Sequence, residues 1–208
     1  VIAQLHSVDY AALGLTDFGK PGNYFARQIE RWSRQYKTSE TETIDAMDQL
    51  IAWLPQHIPA GEATCIVHGD YRMDNMIFHP TEPRILAVLD WELATLGHPL
   101  ADFSYHCMSW HIAPGQFRGI AGLDHAALGI PSQEAYIAQY SASTGHTIRQ
   151  QDFNFYLAYN MFRLAAILQG IMKRYVDGTA ASEQAKKSGE AARPLAELAW
   201  RYAQAAQA

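Results

Sequence analysis

The sequence predicts a mainly helical α+β chain, a single domain over residues 1–208, in which a small β insert carries a polar loop. Three observations predict this. Apolar residues recur at spacings of three and four through most of the chain, as in Phe25, Ile29, Trp32 and Tyr36. Between Thr64 and Leu89 that period gives way to short apolar runs of β type. A length of 208 residues suits one large domain or two small ones, and no composition shift marks a boundary inside it.

Composition narrows the function classes. With 49% apolar, 12% aromatic and 18% charged residues the chain can build a real core. A formal charge of −5 argues against broad binding to nucleic acid, which favours a basic excess. Two cysteines, Cys65 and Cys107, imply no disulfide framework and make a reducing cytoplasm the expected compartment. Both are expected to be small buried apolar groups. The most apolar stretch, 153–172, is interrupted by Asn154, Asn160, Arg163 and Gln169, so it reads as a buried helix and no membrane span is expected.

Taken in order, residues 1–6 have helical spacing but no cap, initiator methionine or signal-like segment. The chain is therefore expected to begin inside a helix, with a piece upstream. A turn-rich segment, 14–22, precedes a helix over 23–37. Arg27, Arg31 and Arg34 along it form either a solvated, ion-paired face or an anchor for an anionic substrate group. A second helix is predicted over 41–56, with the stripe Ile44, Met47, Leu50, Ile51 and Leu54, ended by Pro55, Pro59 and Gly61. Strands are predicted at 64–67, 76–78 and 85–89, the last two joined as a hairpin by Pro80-Thr81-Glu82-Pro83. From Pro99 the pattern is helical, with Leu100, Phe103 and Cys107 on one face. Ser132 is the N-cap candidate for a helix through Tyr140, and Asp152 for a long helix over 153–175 that should be packed on several sides. Asp177-Gly178 ends it, and Pro194 separates two alanine-rich helices in 180–207 or opens the second.

The chemistry concentrates in residues 66–78 and 85–92. A strand delivers His68-Gly69-Asp70, an amide follows at Asn75, and a later strand ends in Asp90. Phosphoryl transfer needs a base near the acceptor hydroxyl and hard oxygen ligands for Mg2+, and these residue types supply them. Alone, His-Gly-Asp is as well read as a turn; the combination of strand, loop, amide, hairpin and second aspartate is far more specific. A metal-dependent hydrolase ligating through His68 and Asp70 is a weaker alternative. Nine histidines invite a zinc reading, but His106 and His111 stand five apart and His68, His79 and His98 lack ligand spacing. Arg163, in an otherwise apolar helix, needs a partner, either an internal carboxylate or an anionic substrate group. Glu92 either approaches metal or substrate or stabilises a turn.

The run from His68-Gly69-Asp70 through Asn75 to Asp90 resembles the aminoglycoside phosphotransferase family of the protein-kinase-like superfamily. The resemblance implies Asp70 as the catalytic base, Asn75 and Asp90 as Mg2+ ligands, and ATP as phosphate donor. It also implies Ile77 and Leu89 under the adenine, Arg72 near the γ-phosphate unless it is a surface arginine, and His68 and Asp102 as supports of the loop. Glu92 and Arg163 are its candidate substrate contacts. Leu5-His6-Ser7-Val8-Asp9, Asp17-Phe18-Gly19-Lys20, Arg27-Gln28, Arg31-Trp32, the segment 90–97 and Phe162 to Ile167 are most similar to the kinase-like domain fused to some acyl-CoA dehydrogenases and to free-standing bacterial relatives. This implies a small-molecule hydroxyl acceptor of hydroxyacyl-CoA type rather than an aminoglycoside, held by residues 119–175.

Asp17-Phe18-Gly19 precedes the catalytic loop and is in the wrong order for a kinase Asp-Phe-Gly motif. His98 stands in Gly97-His98-Pro99 where relatives often carry an acid, and a structural role is expected for it. No glycine-rich loop or β-strand lysine precedes His68. The resemblance therefore implies the helical C-terminal lobe of a kinase-like fold, the substrate side at 99–207, with the N-terminal lobe absent and little activity in residues 1–208 alone. The rival reading is a non-catalytic, pseudokinase-like binding module.

Overall fold

The computed structural model describes residues 1–180 and 182–207. In chain order it contains α1 (Ile2–His6), α2 (Tyr24–Ser39), α3 (Asp45–Trp53), β1 (Cys65–Val67), β2 (Met76–Phe78), β3 (Ile85–Val88), β4 (Thr95–Gly97), α4 (Pro99–Cys107), α5 (Gln133–Thr144), α6 (Gln150–Val176), α7 (Glu183–Glu190) and α8 (Ala192–Ala205). The α+β, mainly helical expectation holds. No described helix is long and apolar enough to cross a membrane.

α6 is the axis of the core. Its apolar residues point in all directions, so it must be surrounded, and α2, α4, α7 and α8 pack against it. Tyr159, Met161, Phe162, Ala165 and Ala166 are wholly buried there. α2 lays down the expected stripe of Phe25, Ile29, Trp32 and Tyr36. Its arginines face outwards or serve the chain itself: Arg34 pairs with Glu30 at 2.7 Å, Arg31 lies over the Trp32 ring, and Arg27 donates to the carbonyls of Gly22 and Lys20. The solvated, self-paired reading of that face is the one observed.

Three boundaries differ from expectation, the first for a tertiary reason. The helix predicted over 41–56 starts only at Asp45, because Gln169 bonds Ser39 O and Thr41 Oγ1 and Arg193 bonds Thr43 O, which pins the preceding segment off the helix. Leu54–Gln56 continues as one 3-10 turn. Asp152 is not the cap of α6. The helix opens at Gln150 after Arg149, and Asp152 sits in the first turn, paired with Arg149 at 2.7 Å, where an acid favours the positive helix end. Ser132 does cap α5, accepting from Ala135 N.

The β insert consists of two separate antiparallel ladders. β2 and β3 form the predicted hairpin, with Met76 opposite Val88. β1 pairs with β4, a strand of Thr-Leu-Gly too short to show alternation in sequence, with Ile66 opposite Leu96. Gly19 of the Asp17-Phe18-Gly19 triplet lies against this second ladder: a Cβ there would stand 2.2 Å from Thr95 Oγ1 and 2.6 Å from Leu96 N. Close packing on β4 is the use of that triplet.

His98 caps α4, its Nδ1 accepting the Leu100 N–H at 3.2 Å. Burial, with a smaller contribution from the nearby His146, lowers its pKa from 6.5 to about 4. The neutral imidazole thus supplies the acceptor that an aspartate would. Between those two values the unfolded chain binds a proton that the folded chain refuses, so this contribution to stability is full above pH 6.5 and is lost as pH falls towards 4. The urea midpoint of the native chain should fall more steeply across that interval than that of His98→Asn, whose cap does not titrate. Parallel curves would remove His98 from the acid response.

Candidate functional site

β1, buried throughout, runs directly into His68-Gly69-Asp70. The chain reverses at Gly69, where φ is +81° and a Cβ would lie 2.6 Å from Leu93 O, so only glycine fits. Asp102, on the first turn of α4, is buried beneath the reversal. Its Oδ2 accepts His68 N–H at 2.8 Å and its Oδ1 accepts Gly69 N–H at 2.9 Å. His6 Nε2, on α1, lies 3.3 Å from the same carboxylate and fixes it from the other side.

The His68 ring joins two parts of the site. Nδ1 accepts the Asp70 N–H at 3.2 Å, so Nε2 carries the proton and donates to Leu89 O at 2.8 Å. Both nitrogens are committed, which leaves no lone pair for a metal and removes the hydrolase alternative. Cys65 and Cys107 are free and buried, as expected, and burial pushes both thiols up in pKa.

Asp70 receives three donors. Tyr105 donates its hydroxyl to Oδ1 at 2.7 Å; Arg72 Nε and Asn75 Nδ2 donate to Oδ2 at 2.8 and 3.0 Å. A carboxylate has about four lone-pair directions, so one remains for an incoming hydroxyl. Burial first, then the Asp70 charge, raises the Tyr105 pKa, and the phenol stays a proton donor. Arg72 also reaches Asp74 at 3.5 Å, and Asp74 is shared with Arg118. Tyr105 was not among the sequence candidates. The signal was its position three residues after Asp102, one helical turn along the same face.

Asn75 closes a 3-10 turn, Met73–Asn75, and turns its nitrogen to Asp70. Its Oδ1 takes no hydrogen bond among the described residues. Leu89 N–H donates to Asn75 O at 2.8 Å, which sets Asp90 one residue beyond. Asp90 adopts φ +66°, a left-handed conformation that aspartate tolerates, and its carboxylate is exposed. An amide oxygen and a carboxylate without internal partners, on adjoining strand ends, are the donor set a hard divalent cation such as Mg2+ takes from a protein. Ile77 and Leu89 are about half exposed, 45% and 44%, and with Phe78, Leu86, Trp91 and Leu93 they form an apolar patch around this edge. Glu92 is exposed and lies outside the walls of the adjoining cleft.

Arg163, on α6, has no carboxylate partner among the described residues. Its Nη2 donates to Gly69 O at 2.7 Å, and its guanidinium lies 5.5 Å from the Trp32 ring centre and 5.3 Å from that of Tyr105. A main-chain carbonyl and two π-faces replace the carboxylate. Beside it opens a cleft of about 880 Å³, running from Asp70 and Tyr105 along Leu164, Ile167, Leu168 and Ile171 to Lys187. Of residues 119–175 only the α6 part lines this cleft; Arg72 and Leu93, residues 115–118 and parts of 184–194 line it as well, α7 and α8 both packing against α6.

Comparison with known proteins gives consistent results. A sequence model described as the phosphotransferase enzyme family matches residues 1–166. Acyl-CoA dehydrogenase family member 10 of Mus musculus is 47% identical over 206 residues, which is 98% of this chain and 19% of that protein. The chain thus spans about a fifth of that relative's length. The crystal structure of a candidate aminoglycoside phosphotransferase from Ralstonia eutropha JMP134 superposes with a TM-score of 0.96 at 68% identity, covering 99% of this chain and 63% of that one. A macrolide 2'-phosphotransferase type I superposes at 0.60 with 15% identity, over 93% of this chain and 55% of that one, which is a likeness of fold.

Proposed function

The chain belongs to the phosphotransferase enzyme family, and on that premise we propose that it transfers the γ-phosphate of ATP to a hydroxyl group of a small molecule. The carrying observation is the Asp70 carboxylate, held by Tyr105, Arg72 and Asn75 with one direction open. In this reading Asp70 orients the acceptor hydroxyl and takes its proton while the oxygen forms its bond to the γ-phosphorus and the bond to ADP breaks. Arg72 steadies the phosphate side, and Ile77 and Leu89 form the floor beneath the adenine. Asn75 and Asp90 would hold Mg2+, which supplies charge neutralisation at the phosphates when bound. Asp102 and His68 keep the loop in place.

The acceptor is an apolar, hydroxyacyl-type metabolite rather than an aminoglycoside. Support comes from the cleft. Its floor on α6 is aliphatic, and its charged walls carry Arg72, Arg118, Arg163 and Lys187 against Asp70 and Glu190. A polycationic aminoglycoside would meet like charges there, while an acyl chain with an anionic end would meet complementary ones.

These residues constitute the helical lobe, as one domain, of a two-lobed kinase. Among the described residues no strand precedes β1, and the apolar side chains of Ile77, Phe78, Leu86 and Trp91 are nearly half exposed, as residues that meet a second lobe would be. Without a second lobe the phosphates lack several charge-assisted contacts worth about 1.5–3 kcal/mol each. Incubation with ATP, Mg2+ and either a hydroxyacyl acceptor or kanamycin tests both points. A chain extended by such a lobe should phosphorylate the acyl acceptor and spare kanamycin, and residues 1–208 alone should run near background. Preference for kanamycin would overturn the acceptor assignment, equal rates with and without the lobe would overturn the lobe assignment, and ATP binding without transfer would leave a binding module.

A further inference from the structure

A second cavity lies behind the catalytic loop. It measures about 370 Å³ and is walled by Met73, Met108, Trp110, Phe117, Ile120 and Ile130. Arg72, Tyr105, Phe117 and Arg118 belong to its walls and to those of the acceptor cleft alike. Two of these four, Arg72 and Tyr105, are the residues bonded to Asp70. Two spaces therefore adjoin across these four residues: the cleft that reaches Asp70 and runs along the aliphatic face of α6, and the cavity that runs towards Trp110. We infer that the second cavity is an apolar subsite for the acceptor, taking an alkyl or ring arm on the far side of the reacting hydroxyl. The acceptor is then a secondary alcohol carrying an apolar arm on each side. This rests on Asp70 being the group that meets the hydroxyl.

The chemistry of the walls selects a neutral arm. Arg72, Asp74 and Arg118 at the mouth are paired with one another and leave no charge seeking a counter-ion. Burial holds the His106 imidazole below the usual histidine pKa, so it enters the cavity uncharged. Polar groups, Ser109 among them, edge the cavity, but its apolar walls gain packing contacts only when an apolar group fills it. At interior packing density it has room for about a dozen non-hydrogen atoms. Met73 and Met108 can adjust to arms of different shape. The partition between the two spaces also carries backbone strain: Phe117 and Arg118 are consecutive non-glycine residues with φ of +20° and +55°. Strain of this type gathers at ligand clamps. A primary alcohol would use the α6 side alone and leave the second cavity unfilled.

Two measurements test the inference, and one of them needs no turnover. Crystals soaked in cyclohexanol, the probe, should show the ring seated between Met108, Trp110 and Ile130; a cavity without the ring overturns the subsite. With the extended chain, ATP and Mg2+, secondary alcohols sharing one long arm are then compared as the short arm grows from methyl to butyl. kcat/KM should rise by up to about fourfold per methylene. Ile130→Trp, or Ile120→Phe if that variant folds poorly, should cancel the rise by filling the space. A flat response to arm length in the native chain overturns the secondary-alcohol assignment. If no alcohol is phosphorylated, the proposed function has failed, and the soak still decides whether the cavity takes an apolar ring.

Discussion

In the chain extended by the second lobe, Asp70→Asn should lower kcat for phosphate transfer by about 10²- to 10⁴-fold, the usual worth of a positioned general base, and leave the Kd for ATP nearly unchanged. The replacement keeps the shape of the side chain and an oxygen for the Tyr105 hydroxyl at Oδ1. It sets an NH2 against Arg72 and Asn75 and removes the only group there able to take a proton. The effect should fall on kcat because Asn75 and Asp90, the proposed metal ligands, and Ile77 and Leu89, the proposed adenine floor, are untouched. Single-turnover rates with saturating ATP and an equilibrium ATP titration separate the two. Turnover within threefold of the native chain would send the search to another base, and a parallel loss of ATP binding would mean that the asparagine had disturbed the whole loop.

The largest effect on stability should come from Asp102→Ala. The native carboxylate accepts the His68 and Gly69 N–H groups and faces His6, with the side chain only 1% exposed. Alanine strands two buried main-chain donors and a ring N–H, each costing about 1–3 kcal/mol, for a loss of about 3–5 kcal/mol. Asp102→Asn keeps one acceptor and should cost less than half of that. Urea unfolding of the three proteins gives the ranking, and an alanine variant within 1 kcal/mol of native, about the worth of one ordinary hydrogen bond, would show that water reaches the loop amides.

Much of this molecule was legible in its sequence because the information is local. The stripe Phe25, Ile29, Trp32, Tyr36 reads directly as one buried helix face, and the all-round apolarity of residues 153–172 reads as a helix with neighbours on every side. Hairpin pairing brings Asn75 and Asp90 to one edge, and Asp70, five residues before Asn75, joins them through the Asn75 amide and the His68 ring. What was not legible depends on contacts between distant segments. β4 exists because β1 needs a partner, and Thr-Leu-Gly carries no pattern of its own. The partner of Arg163 is a carbonyl, and every residue has one, so a search for carboxylates in the sequence could not find it. Tyr105 is recognisable only once Asp70 stands above it. The cleft beside Arg163 depends on α7 folding back over α6, which no periodicity records.

One feature of the loop bears on motion. A single imidazole spans from the Asp70 amide to the Leu89 carbonyl, and an aromatic ring cannot stretch or fold. The Asp70 backbone and the strand end preceding Asp90 are thereby tied together across the width of the His68 ring. On the proposed reading of Asp70 and Asp90, the spacing the reaction needs comes already assembled, and binding energy need not be diverted to create it.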